Sequence, residues 1–169
     1  GWTTQLGPDW DGDGSNELWV YELDSALYVF AGGGGRGSVA PESALVTYVW
    51  DTGSGDASRL RQVGDFTGDG VNDMMAFLDG SSTGSLYMFG SERQSGTYDQ
   101  TIDYSGNIKG SSADGNGNVG YGVAAIGGDI DGDGDWDYAV GDPEWYDPSG
   151  ASSKVSGEFA VLMNEVPVE

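Results

Sequence analysis

The chain has 169 residues, of which 37% are hydrophobic, enough to bury a core. Its 28 acidic and 6 basic residues give a formal charge of −22, which argues against binding to nucleic acid or to anionic membrane surfaces. The absence of Cys and His excludes disulfides, thiol chemistry, His-based triads and the usual zinc and copper sites.

A nine-residue acidic pattern occurs three times along the chain. The copies read DWDGDGSNE at 9–17, DFTGDGVND at 65–73 and DIDGDGDWD at 129–137. Their starts at residues 9, 65 and 129 are 56 and 64 residues apart, a spacing that indicates stacked or radially arranged repeats. We call these segments loop one, loop two and loop three, and number their positions from 1 to 9.

Each acidic loop is flanked by short runs rich in Val, Tyr, Phe and Leu and bounded by Gly, Ser and Asp, which predict strands and turns. The runs are, in chain order, TTQLG, ELWVYE, SALYVFAG and SALVTYVW around loop one; LRQVG, DMMAFLD, GSLYMFG and TYDQTIDY around loop two; and GYGVAAIGG, DYAVGD and GEFAVLMN around loop three. No segment shows a sustained 3.6-residue apolar period, so we expect little or no helix.

These elements predict an all-β fold, a single array of three blade-like units at about residues 1–58, 59–112 and 113–169. Each unit reads as one strand, the acidic loop and three further antiparallel strands, the plan of a β-propeller blade. The third unit has only three strands and is expected to be incomplete. Because propellers close with about 4–8 blades, the remaining blades are expected from the same chain or from other subunits.

The acidic loops are predicted to bind calcium. Carboxylates at positions 1, 3 and 5 converge when the backbone coils tightly, and Gly at position 6 permits that coil. Position 7 then offers a backbone carbonyl and position 9 a further carboxylate, an all-oxygen cage that suits calcium better than magnesium. About three Ca²⁺ ions are expected. The predicted ligands are Asp9, Asp11, Asp13, Ser15 and Glu17; Asp65, Thr67, Asp69, Val71 and Asp73; and Asp129, Asp131, Asp133, Asp135 and Asp137.

The three loops are not equivalent, and they are not EF-hands. Loop three is the richest in acids, whereas loop two has the neutral Thr67 at position 3, so we expect affinity to decrease from loop three to loop one to loop two. An EF-hand needs Glu at position 12, where these loops have Val20, Ala76 and Val140.

Residues 118–145, NVGYGVAAIGGDIDGDGDWDYAVGDPEW, closely resemble an FG-GAP repeat, the blade of the integrin α-chain β-propeller and of many bacterial surface proteins. Tyr121-Gly122 lies where that family has Phe-Gly, and Gly141-Asp142-Pro143 where it has Gly-Ala-Pro. The first two units resemble the looser bacterial form. The resemblance implies calcium in the acidic loops, an extracellular or cell-surface location, and a role in adhesion or scaffolding with a protein or glycan ligand. It also implies ligand contacts on the opposite face, where Trp145 and Tyr146 are the candidate ligand-binding residues. The alternative role for these two aromatic residues, and the one that we favour, is packing against a neighbouring blade.

Two other functions have some support in the sequence. Residues 49–54, VWDTGS, match the aspartic protease signature, but the sequence holds no second copy to complete the catalytic pair, and the segment has good turn chemistry. We therefore expect no enzyme. The alternative function is a carbohydrate-binding or accessory domain of a secreted enzyme. No apolar run approaches the ~20 residues that span a bilayer, so we expect no membrane insertion.

Overall fold

A computed structural model describes residues 2–22, 25–34, 37–49, 56–79, 85–99, 106–109, 126–134, 136–142 and 158–162. Within these ranges the chain forms twelve strands and a single 3-10 turn, with no α-helix, which confirms the predicted all-β class. No helix in this part of the chain has the length and apolar character that crossing a bilayer requires.

The strands are β1 Trp2–Leu6, β2 Leu18–Glu22, β3 Ala26–Phe30, β4 Val46–Val49, β5 Asp56–Gln62, β6 Met74–Asp79, β7 Ser85–Phe89, β8 Gly96–Asp99, β9 Gly106–Lys109, β10 Ile126–Gly128, β11 Asp137–Asp142 and β12 Glu158–Leu162. The 3-10 turn is Pro41–Ser43.

The strands form three sheets, each built around one acidic loop. The first has the order β1-β2-β3-β4-β8, the second β5-β6-β7-β9 and the third β10-β11-β12. Consecutive strands β1 to β4 pair antiparallel, as do all pairs of the second and third sheets. Loops one, two and three join β1 to β2, β5 to β6 and β10 to β11, so each connects the first two strands of its sheet. Within the described residues none of the sheets closes on itself.

Strand β8 departs from the predicted arrangement. The run TYDQTIDY was expected to supply the fourth strand of the second unit, but Gly96–Asp99 instead pairs in parallel with β4 of the first sheet. The amide of Gly96 donates to the carbonyl of Leu45 at 2.9 Å, and the rings of Tyr48 and Tyr98 lie 5.8 Å apart. The fourth strand of the second sheet is Gly106–Lys109, which pairs with β7. Strand β8 therefore ties the second unit to the exposed edge of the first.

An aromatic core lies between the first two sheets. Because side chains alternate along β2, Trp19 and Tyr21 face this core, whereas Val20 joins an apolar cluster on the other face. The ring of Trp19 lies 6.2 Å from that of Phe89 on β7, and removing a buried ring of this size costs about 3–5 kcal/mol. The core contains Trp10, Trp19, Tyr21, Leu27, Val29, Val46, Tyr48, Leu60, Met74, Ala76, Tyr87 and Phe89.

The third sheet contacts the second at loop two. The hydroxyl of Tyr138 on β11 donates to the carbonyl of Gly64 at 3.3 Å, and its ring lies 5.3 Å from that of Phe66. Trp136 packs so closely over Gly64 that a Cβ there would overlap the indole. An acidic loop is thus part of the contact between neighbouring sheets.

Candidate metal centres

Loops one and two are closed at their base by an extension of the strand ladder, and in loop three Asp137 already lies in the ladder opposite Gly128. The amide of Gly7 donates to the carbonyl of Glu17 at 2.8 Å, and the amide of Glu17 donates to the carbonyl of Pro8 at 3.1 Å. In loop two the amide of Val63 donates to the carbonyl of Asp73 at 2.9 Å, and the amide of Asp73 donates to the carbonyl of Gly64 at 3.1 Å. These bonds fix position 9 opposite the start of the loop, so its side chain is directed back over the coiled segment.

Two glycines coil each loop, at positions 4 and 6. All six have φ between 74° and 100°, in the left-handed region that other residues disfavour. The sequence predicted this role for position 6, and the structure confirms it. Position 4 was missed, although Gly-Asp-Gly at positions 4 to 6 recurs in all three loops. The amide of position 6 donates to the position-1 carboxylate in every loop. These pairs are Gly14 to Asp9 at 2.9 Å, Gly70 to Asp65 at 2.7 Å and Gly134 to Asp129 at 3.1 Å.

The position-9 carboxylate is fully buried in all three loops, with no exposed area. In each case it accepts a hydrogen bond from the amide of position 2, which aims it at the centre of the coil. The pairs are Trp10 to Glu17, Phe66 to Asp73 at 2.6 Å and Ile130 to Asp137 at 2.7 Å. A carboxylate has about four lone-pair sites, so one or two main-chain donors leave it capacity to bind a cation.

In each loop the structure brings several predicted ligands together. One carboxylate oxygen from each member of a group lies within 4.8 Å of the others. The groups are Asp9, Asp11, Asp13 and Glu17; Asp65, Asp69 and Asp73; and Asp129, Asp131 and Asp137. Oxygens this close are positioned to bind one metal ion together, since two oxygens that share an ion at about 2.3–2.6 Å are themselves no more than about 5 Å apart.

The remaining predicted ligands have other positions. The hydroxyl of Thr67 donates to Asp73 Oδ1 at 3.3 Å, so it contacts the group in loop two. Asp133 does not belong to the group in loop three. Asp135 lies outside the described residues, and Ser15 and Val71 were expected to contribute only main-chain carbonyls.

Burial makes the position-9 carboxylates of loops one and two difficult to ionise in the absence of a cation. It raises the pKa of Asp73 to about 7, an effect opposed by the amides of Thr67 and Phe66 and reinforced by Asp69 and Asp65. Burial also raises the pKa of Glu17. A divalent ion reverses this effect because it stabilises the ionised form.

One oxygen in loop one fits a metal ligand directly. Asp9 Oδ1 is buried and has no hydrogen-bond partner, whereas Asp9 Oδ2 accepts from Gly14. An unpaired buried carboxylate oxygen costs about 1–3 kcal/mol or more, and a bound cation removes that cost. The donor set therefore fits a hard cation at this loop.

In the first two sheets, the turn after the third strand adds contacts that the sequence did not predict. The hydroxyl of Ser91 donates to Asp69 Oδ2 at 2.5 Å, and the amide of Gly32 donates to Glu17 Oε1 at 3.3 Å. Ser91 lies 22 residues from its partner, so no local pattern could have indicated the contact.

Comparison with models of protein families, with curated proteins and with solved structures gives no match for this chain. The resemblance to FG-GAP repeats therefore stays a prediction. The candidate ligand-binding residues Trp145 and Tyr146 lie outside the described residues, as do Asp51 to Ser54 of the protease-like signature.

Proposed function

We propose that this chain is a calcium-binding β-repeat module in which each acidic loop holds one Ca²⁺ ion. The observation that carries the proposal is the convergence of three or four carboxylates within 4.8 Å in each of the three acidic loops. Two carboxylates 4–5 Å apart repel by roughly 1–4 kcal/mol, so each group favours a neutralising ion.

Calcium is the ion that best suits these donors. The ligands are oxygens on a flexible coil, and the chain has no His or Cys to favour a softer metal. Magnesium requires near-ideal octahedral geometry, which an irregular loop of carboxylates and carbonyls does not favour. Three ions would change the formal charge from −22 to −16, that is −22 + 6.

The proposed role is structural, as a scaffold for adhesion or ligand binding outside the cell. Support comes from the place of loop two in the contact between sheets, where Phe66 and Gly64 meet Tyr138. Fixing this loop with an ion would also fix the sheet that packs against it. In the FG-GAP interpretation the three sheets are blades of a propeller, completed by the same chain or by other subunits, and the ligand is a protein or glycan.

Native mass spectrometry combined with thermal melts tests this function. In calcium we expect three bound ions and a melting temperature above that in EDTA; at ten times the dissociation constant each site adds about 1.4 kcal/mol. Magnesium at equal concentration should stabilise less. The matched control is Glu42→Gln, an exposed acid outside the loops, which should keep all three ions. Equal melts in calcium and EDTA, with no bound ion, would contradict the proposal.

A further inference from the structure

The turn that follows β7, residues 90–93, contacts both of the first two acidic loops. On one side the hydroxyl of Ser91 donates to Asp69 Oδ2 in loop two at 2.5 Å. On the other side the indole Nε1–H of Trp10 in loop one donates to the main-chain carbonyl of Arg93 at 2.9 Å. Two residues of one short turn are therefore hydrogen-bonded to two different loops.

Both contacts are shielded from water and the turn itself is held in place. Ser91 is 8% exposed and Trp10 is 1% exposed, so neither hydrogen bond is easily replaced by one to solvent. The guanidinium of Arg93 forms an ion pair with Glu92 and lies 5.6 Å from the ring centre of Tyr98 on β8. The turn is therefore attached to strand β8 as well as to the two loops.

The two contacts lead directly to proposed metal ligands. Asp69 belongs to the carboxylate group of loop two. Trp10 donates its main-chain amide to the carboxylate of Glu17, which belongs to the group of loop one. An ion in loop two would fix Asp69 and with it Ser91, and an ion in loop one would fix Glu17 and with it Trp10. Each ion would order the same turn.

We infer that calcium binding in loop one and calcium binding in loop two are positively coupled through the turn at residues 90–93. This inference rests on the proposed calcium function. Ser91 and Trp10 act in it as positioning residues and not as ligands. A second ion that meets an already ordered turn loses less conformational entropy on binding, which raises its affinity. Coupling of this kind typically amounts to about fivefold or more in affinity.

The sign of the effect makes the inference specific. Two divalent cations repel each other, so ions in neighbouring loops without a mechanical link would bind independently or with negative coupling. Positive coupling therefore requires a connecting element that both ions order. The turn at residues 90–93 is such an element, since it is hydrogen-bonded to both loops.

Calorimetric titration in a protein whose loop three is disabled by Asp129→Ala tests the coupling. The affinity of loop one alone is measured after Asp65→Ala, and that of loop two alone after Asp9→Ala. We expect the product of the two stepwise binding constants of the two-loop protein to exceed the product of the single-loop constants about fivefold or more. Ser91→Ala should reduce this ratio to about one.

Trp10→Phe cuts the other end of the same link while keeping an aromatic ring in the core. It should also reduce the ratio to about one, and the double variant should do no more than either single variant, as expected for two contacts in series. Trp10→Phe also keeps the inference testable if Ser91→Ala does not fold. The matched control is Ser43→Ala, which removes a hydroxyl from an exposed turn and should keep the full ratio.

Hydrogen exchange of the Trp10 indole proton gives a second measurement. In the Asp9→Ala protein, calcium can fill loop two but not loop one. When Ser91 is present, calcium should slow the exchange of the Trp10 indole proton. After Ser91→Ala, calcium should leave this exchange rate unchanged. If neither single-loop protein binds calcium, the proposed function itself is wrong. If both single-loop proteins bind calcium but the ratio of the two products of binding constants is one or lower, the function stands and the coupling is overturned. The coupling through this turn is also overturned if a ratio above one persists after both Ser91→Ala and Trp10→Phe.

Discussion

The indole of Trp136 lies directly against the backbone of Gly64, leaving no room for a side chain there. Gly64 immediately precedes loop two, and Trp136 is at position 8 of loop three, so this contact joins two repeats. The hydroxyl of Tyr138 donates to the carbonyl of the same glycine. The absence of a Cβ at residue 64 is therefore a requirement of the packing between the second and third sheets.

We expect Gly64→Ala to destabilise the protein by about 1–3 kcal/mol, because the indole must move or the sheets must separate. Urea denaturation measures the free energy of unfolding. Adding Trp136→Ala should recover part of the loss, because the two residues are in contact and their effects are not additive. Gly34→Ala is the control, since a Cβ at that exposed glycine meets nothing within 4 Å. A purely additive double variant would contradict this interpretation.

Asp73→Asn should have effects of opposite sign with and without calcium. In EDTA at pH 8 the substitution removes a buried negative charge from beside Asp65 and Asp69 and is expected to stabilise by about 1 kcal/mol or more. In calcium it removes a ligand charge and should lower both the affinity of loop two and the melting temperature. Thermal melts under both conditions test this, with Glu42→Gln as an exposed control expected to show neither effect.

The metal-free protein should lose stability as pH rises from about 4 to 7. The folded-state pKa of Asp73 is about 7, above its ordinary value of 3.8, so between these values the folded state binds more protons than the unfolded state. Glu17 acts in the same direction. The loss from Asp73 is on the order of 1–3 kcal/mol.

Urea denaturation in EDTA between pH 4.5 and 8 measures this dependence, and Asp73→Asn should reduce its slope. In calcium the ion holds the carboxylates ionised, so the sign reverses and stability is lost as pH falls. Repeating the EDTA series in high salt separates the titration of buried Asp73 from repulsion among exposed acids, because salt screens exposed charges more strongly than buried ones. A metal-free protein that becomes more stable as pH rises would contradict the assignment.

The order of affinities can be checked on the individual loops. The acid count predicts that loop three binds most tightly and loop two most weakly, so Asp133→Ala should cost more calcium affinity than Asp69→Ala. Calorimetry on the two variants gives the comparison. The geometry makes the test worthwhile, because Asp133 lies outside the carboxylate group of its loop whereas Asp69 lies inside its own. A larger loss from Asp69→Ala would reverse the predicted order.

Local patterns predicted most of the fold and the site. Short runs rich in Val, Tyr, Phe and Leu located most of the strands, and the spacing of acids and glycines located the three carboxylate groups. The parallel pairing of β8 with β4 was not predictable, because it depends on which sheet edge is open and not on the residues of β8 alone. Ser91 was missed for a similar reason: its partner Asp69 is close in space but distant in sequence.

We expect the backbone conformation of the acidic loops to require glycine at position 4 as well as at position 6. Gly68 has φ of 74°, and a Cβ there would meet nothing within 4 Å, so any cost of substitution comes from backbone conformation alone. Gly68→Ala should therefore destabilise by about 1–2 kcal/mol and weaken calcium binding at loop two. Gly68→Asn should cost less than Gly68→Ala, because Asn tolerates the left-handed region better. Urea denaturation and calorimetry on Gly68→Ala and Gly68→Asn separate backbone strain from the effect of adding a side chain. Equal effects of Ala and Asn would show that position 4 does not require glycine because of its positive φ.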